Sequence, residues 1–222
     1  MKKIIVLVLS ALFFVSCVND YSFPKTENIT KGTKWNLRIG SSPMEVYKQL
    51  QDLGIEKNFD AVNVNYRLPY SKPEDIKSDL SLYRSITIDA PSERIERVLI
   101  QFDQNKVEAI EKGGGLLDPI TKWPENMSDQ NTINLNDPID GIQQKLVAIY
   151  QNPTYENYKI TLSNKWLQKA FDPDMSNFKE WSFTFSTDVS SSKGGRSDVT
   201  LYFKNGKLIK IRNTYEEFEI VY

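Results

Sequence analysis

The 222-residue sequence contains no histidine. That removes the commonest general base and the commonest transition-metal ligand together. A serine nucleophile would then need a lysine as its base, and no Ser-x-x-Lys stands in an apolar helical setting. "SSSKGG", residues 190–195, reads as a solvated loop between strands. "EKGGGL", residues 111–116, follows a strand but opens no helix and carries no Lys-Ser/Thr pair, so it fails as a phosphate loop. "DPDMSN", residues 172–177, sets Asp172, Asp174 and Ser176 at alternate positions, as a calcium loop would. Its sixth position is Asn177 rather than glycine and its twelfth is Phe183 rather than glutamate, so a polar turn around Pro173 is expected instead. Carboxylate pairs for glycoside cleavage depend on separation in space, and most of the 29 acidic residues belong on the surface. No catalytic residue, cofactor or metal ligand is expected.

The aromatic residues are the enriched feature with functional colour. Trp166, Trp181, Tyr150, Tyr155 and Tyr158 crowd the second half. Such rings anchor protein interfaces and stack on sugars. Trp181 opens an alternating strand with Phe183 and Phe185, so its face is expected in the core. Trp166, beside Lys165 and Lys169, joins Tyr155 and Tyr158 as the candidate partner-binding residues. Lys204, Lys207, Lys210 and Arg212 read as charges that guard an edge hairpin against aggregation.

Two hairpins organise the chain. "VLIQFDQNKVEAI" at 98–110 and "VTLYFKNGKLIKI" at 199–211 match at a shift of 101 residues. Val98, Ile100, Phe102 and Val107 then fall on Val199, Leu201, Phe203 and Leu208, each set on one face of its hairpin. Type I′ turns are expected at Gln104-Asn105 and Asn205-Gly206. "SITID" (85–89) and "SFTFS" (182–186) add a third strand to each. Upstream, "AVNVNYRL" and "YKITLS" each read as one alternating strand, and "KWLQKAF" (165–171) as a short helix.

Each half also opens on a capped helix. In "WNLRIGSSPMEVYKQLQDLG", Ser42 is the expected N-cap, Pro43 the first helical residue and Glu45 the partner in a capping box. In "INLNDPIDGIQQKLVAIY", Asp137 is the expected cap, with Pro138 and Asp140 following. The caps align at a shift of 95, whereas Val46, Leu50 and Leu53 align with Ile142, Leu146 and Ile149 at 96. Each helix has one apolar stripe, expected to be covered by its own sheet. The fold class expected is therefore α+β, with two tandem repeats, each a helical segment on a three- or four-stranded antiparallel sheet. Residues 35–115 and 133–222 would be the repeats, and 116–132, with two prolines, a linker packing a little through Trp123.

The N-terminus has a different character. Lys2 and Lys3, an apolar run and small Ser16 have the layout of a signal peptide over residues 1–16. Cys17, the lone cysteine, follows at once and resembles the lipobox of bacterial lipoproteins. That resemblance implies acylation of Cys17 and leaves no thiol for catalysis or a disulfide. Val18, rather than aspartate, after the cysteine implies sorting to the outer membrane. Residues 17–34 would form a lipidated flexible tether. Loss of the signal leaves 26 basic against 29 acidic residues, a net of −3, which gives no reason to expect a nucleic-acid partner.

"LRIGSSPMEVYKQLQDLG" is similar to the opening helix of outer-membrane lipoproteins of the SmpA/BamE type. Two such units in tandem resemble the β-lactamase-inhibitor-protein-like architecture, whose joined sheets face protein partners. The resemblance implies a non-catalytic adaptor or inhibitor-like lipoprotein with an envelope protein as partner. A glycan or small-ligand binder is the alternative, and a carboxylate-dependent hydrolase a third reading.

Overall fold

A computed structural model describes residues 24–91, 95–162 and 164–220; the signal segment and Cys17 lie outside them. Apolar alternation writes the strands, as at Val98, Ile100 and Phe102, which are all buried. In chain order, β1 (Lys25–Ile29), β2 (Thr33–Lys34) and β3 (Leu37–Arg38) lead to α1 (Pro43–Lys57) and β4 (Ala61–Asn65). A meander follows, of β5 (Ser85–Asp89), β6 (Arg97–Asp103) and β7 (Lys106–Gly113). Then come β8 (Asp118–Ile120), β9 (Lys122–Trp123), β10 (Ile133–Asn134), α2 (Ile142–Tyr150), β11 (Lys159–Leu162) and β12 (Asn164–Trp166). A longer meander closes the chain: β13 (Glu180–Ser190), β14 (Lys193–Lys204) and β15 (Lys207–Glu219).

Two antiparallel sheets carry the fold, ordered β1-β15-β14-β13-β4-β12 and β11-β5-β6-β7-β8. They meet in residues 159–166. β11 pairs with β5, whereas β12 pairs with β4, and Lys165 also bridges to Tyr83 just before β5. One stretch of chain thus serves as a strand of both sheets.

The expected fold class is corrected here. Among the described residues 45% are strand and 21% helical, with two α-helices, so the protein is mostly β. Neither helix lies on the meander that follows it. The stripe of α2 (Ile142, Leu146, Ile149) is buried against the first meander, in a core drawn only from residues 76–162. The stripe of α1 (Val46, Leu50, Leu53) is buried against the second, in a core drawn from residues 37–64 and 167–211. One unit is therefore contiguous and nested within the other, which the two chain ends assemble.

The domain limits shift accordingly. Residues 116–132 do not link repeats; they hold β8 and β9 inside the nested unit, with Trp123 fully buried. The expected tether is also shorter, because Lys25–Ile29 pair with Tyr215–Ile211.

The repeat itself survives in detail. Gln104 and Asn105 have φ of 46° and 61°, and Asn205 and Gly206 of 51° and 68°, so both turns are type I′. Register slips between Gln101 and Phe102, and again between Tyr202 and Phe203, leaving a bulge in the same place in both hairpins. Gly40 and Asn136, 96 residues apart, both take positive φ. The backbone beside each one bonds the hairpin of its unit: Gly40 N–H donates to Leu208 O and Asn136 N–H to Val107 O, both at 2.8 Å.

Only one of the expected caps forms. Glu45 N–H donates to Ser42 Oγ (3.4 Å) and Ser42 N–H to Glu45 Oε2 (2.7 Å), a complete capping box. Asp137 instead accepts from Asn134 N–H and from Lys145 Nζ, each at 2.6 Å, and a 3₁₀ turn at Ile139–Gly141 precedes α2. The shift of 96 holds through both helices, and the one-residue discrepancy was a misplaced cap.

Candidate functional site

Where the two units join, β12 delivers Trp166. Alternation along β12 turns Lys165 inward, fully buried, and leaves Trp166 half-buried on the other face. The Arg84 guanidinium lies 5.1 Å from the centre of the Trp166 ring and 3.1 Å from Asp60 Oδ1. Arg84 is placed by its own backbone, whose N–H donates to Asn164 O at 2.7 Å. Two open clefts share Asp60 and Gln168 as a common wall. One, of about 410 Å³, runs past Trp166 and Lys169 to the Gln104–Asn105 hairpin tip of the nested unit. The other, of about 600 Å³, runs past Gln51, Asn58 and Phe59 along the end of α1. Lys169 Nζ donates to Asn105 Oδ1 (3.1 Å) across the first cleft, so its floor spans both units.

Beneath the clefts lies a buried polar joint. Arg67, just after β4, donates through Nη2 to Asp174 (2.6 Å), Tyr70 (2.9 Å) and Ser78 (3.0 Å), and through Nη1 to the Tyr83 hydroxyl. Tyr83 in turn donates to Asp172, which is 4% exposed. The joint thus ties the nested unit's Tyr83 to the enclosing unit's Asp172 and Asp174. Lys165 Nζ donates to the Tyr47 hydroxyl (2.8 Å) and to Trp166 O (3.0 Å). Burial pushes the Lys165 amine down to about 8, with Asp172 pulling it up and Lys169 pushing it further down. The amine is sealed from solvent and spent on holding the joint. Burial likewise pushes the Tyr47 and Tyr83 hydroxyls up.

Of the expected site residues, only Trp166 reaches the cleft. Tyr155 and Tyr158 are 7% and 2% exposed and pack on Trp123, with ring centres 5.4 and 6.2 Å away. Tyr155 donates to Asn126 (2.9 Å) and Tyr158 to Glu96 (3.0 Å), so both belong to the nested core. Trp181 is fully buried, as its alternation implied. "KWLQKAF" forms β12 and a turn rather than a helix. "DPDMSN" is a 3₁₀ turn in which Asp172 Oδ1 accepts from Asp174 N–H at 3.0 Å. Among the described residues no group of three or more Cys, Asp or Glu is placed to hold a metal ion. Asp60 and Asp103 line the same cleft, but Asp103 is exposed and half-buried Asp60 is paired with Arg84, unlike the desolvated acid of a glycosidase.

Reading the sequence passed over Arg84, Asp60 and Gln168, which come together only through the sharing of residues 159–166 between sheets. Arg67 had a faint signal, a cation placed straight after the alternating run Ala61–Asn65. Compared with family models, curated proteins and solved structures, the chain gives no match.

Proposed function

We propose that this is a non-catalytic, protein-binding lipoprotein, anchored at Cys17 in the outer membrane and taking an envelope protein partner in the joint clefts around Trp166. The observation that carries the reading is half-buried Trp166, which lines an open cleft whose walls come from both units and has the exposed Arg84 guanidinium 5.1 Å from its ring centre. Tryptophan and arginine are the side chains whose truncation costs most at protein interfaces, and they act best where a rim excludes water. The clefts are open rather than enclosed, which suits a protruding segment of a partner more than a small molecule. Exposed apolar side chains stand at the same joint. Tyr66 and Leu68, which flank the inward-turned Arg67, are 84% and 79% exposed. The anchor rests on the lipobox resemblance at Cys17.

The test is photocrosslinking in cells from position 168 of the full-length protein, alone and with Trp166→Ala. One dominant protein adduct, lost with Trp166→Ala by a factor of about ten or more, supports the reading. A membrane-localised protein with no protein adduct sinks it. Cys17→Ala should shift the protein out of the membrane fraction, and retention there would overturn the anchor.

A second reading has its own observation. A flat ring flanked by Asn105, Gln168 and Asp103 also presents the planar and amide groups that bind sugars. Retention on a glycan surface that Trp166→Ala abolishes, with no protein adduct, would decide for it.

A further inference from the structure

The free edges of the two sheets are not alike. β8 carries Pro119, and β1 carries exposed Lys25 and Glu27. β15 runs past Tyr215, where pairing with β1 stops, and there it presents Glu216, Glu217 and Glu219. Proline and charge on an edge deter a further strand. β13 carries less of it: the single charge of Asp188, and a register shift against β14 between Asp188 and Ser190. β4 covers it only from Glu180 to Ser182, and Ser186 to Ser190 beyond are exposed with Asp188 as their one charge. The equivalent flank of the nested unit is closed, because β11 pairs with β5 from Ile86 to Asp89.

The backbone of this stretch points the right way for another strand. Phe203 N–H donates to Lys179 O at 2.7 Å, one step before the pair Glu180 and Tyr202. Up to Asp188, beyond which the register with β14 shifts, odd-numbered residues of β13 therefore turn their N–H and C=O toward β14, and even-numbered ones turn them outward. Among the described residues nothing hydrogen-bonds the outward backbone groups of Ser186 and Asp188.

We infer that this edge is a two-fold interface, on which β13 of a second copy pairs antiparallel. The occupant is a second copy because the edge complements itself. Centred on Thr187, the register sets Ser186 against Asp188 of the other copy and Phe185 against Val189. Outward-facing residues then meet outward-facing residues, and each Ser186–Asp188 pair exchanges both of its backbone hydrogen bonds. Centring on Asp188 would oppose two carboxylates. Centring on Ser186 would drive the turn at Ser191–Ser192 of one copy into β4 of the other, where Ser182 is already paired. The interface is separate from the joint clefts, so failure of partner capture there leaves it standing.

Sedimentation equilibrium of the full-length protein in detergent, from low to high micromolar, tests the inference. Wild type should show a concentration-dependent dimer. Ser186→Pro removes one outward N–H without touching the bonds to β14, and should be monomeric with an unchanged thermal transition. Thr187→Cys should give a reducible covalent dimer that wild type does not, since residues on the axis form a non-hydrogen-bonded pair with close Cβ atoms. If Ser186→Pro fails to fold, Thr187→Lys places two ammonium groups on the axis and should separate the copies equally. Wild type that stays monomeric throughout, or a dimer that survives a folded Ser186→Pro or Thr187→Lys, overturns the inference.

Discussion

The nested and enclosing units use one grammar at two lengths. Each folds a three-stranded meander with a bulge at the same step, adds a short edge strand, and covers the sheet with a helix. In the nested unit the meander strands have 5, 7 and 8 residues, and β11 covers the flank of the first. In the enclosing unit they have 11, 12 and 13, so the far ends project as a bare ribbon. Its paired glycines show how such a ribbon holds together. Gly194 leaves room for the Phe218 ring opposite, and a Cβ there would come within 2.5 Å of it. The helices differ in the reverse sense to their lids: α1 is long and capped by a side chain, whereas α2 is short and starts without one. Equivalent position therefore does not mean equivalent role, and the difference lies where each unit meets solvent or its neighbour.

The largest effect should come from breaking the joint between the units. Arg67→Met strands Asp172 and the Tyr83 hydroxyl in a buried site, and should cost about 3–5 kcal/mol. Because Arg67 ties the two units, calorimetry should then resolve two transitions where wild type shows one. A single transition, merely lowered, would mean that the units are coupled through the shared strand alone.

Lys165 gives a pH signature of nearly the same size. Its amine is depressed in the fold relative to the unfolded chain, so the unfolded state binds the extra proton between about 8 and 10.5. Stability should therefore be lowest below about pH 8 and rise toward 10.5, by up to about 3 kcal/mol. Tyr47, Tyr83 and Tyr150 run the other way. Their hydroxyls are raised by burial, so stability is lost as pH climbs past the unfolded value of 10. A maximum near pH 10 in urea midpoints, whose rising side from pH 8 is lost in Lys165→Met while the fall beyond 10 remains, checks both signs.

The caps offer a smaller contrast. Ser42→Ala should cost about 1 kcal/mol, with helix exchange rising in α1 alone. Asp137→Ala removes no cap, and its loss should be seen at Asn134 and Lys145 rather than at the start of α2. Smallest is the turn. Gln104 sits at positive φ where the other hairpin has asparagine, so Gln104→Asn should stabilise by about 0.5 kcal/mol. Asn205→Gln should lose a similar amount, and equal effects in chemical denaturation would show the two turns to be interchangeable.

Local chemistry was readable because it acts over few residues: the turns at Gln104-Asn105 and Asn205-Gly206, the box at Ser42 and Glu45, the alternation of β6 and β14. The framing of the units was not. A repeat has a period but no starting point, and a helix that follows one meander and precedes another has two sheets on offer. Proline at 119 and 124 drew the boundary to the wrong junction. The physical signal was elsewhere: Gly113 to Asp118 is too short to leave the unit, whereas Tyr66–Arg84 and Leu167–Lys179 are the long connections. Tyr155 and Tyr158 stand among polar Glu156 and Asn157 in sequence, and the residues that cover them, Trp123 among them, are distant in the chain. Trp166 was visible from its lysine neighbours; Asp60 and Arg84 required the shared strand.

Nesting also sets an order of events. The apolar stripe of α1 is made well before Trp181, Phe203 and Ile211, which cover it. The contiguous unit has all it needs by Leu162, whereas the enclosing unit must wait for Ile211 and close a longer loop. Between those moments Val46, Leu50 and Leu53 have no home in the fold. Any partner that held the growing chain would have to shield α1.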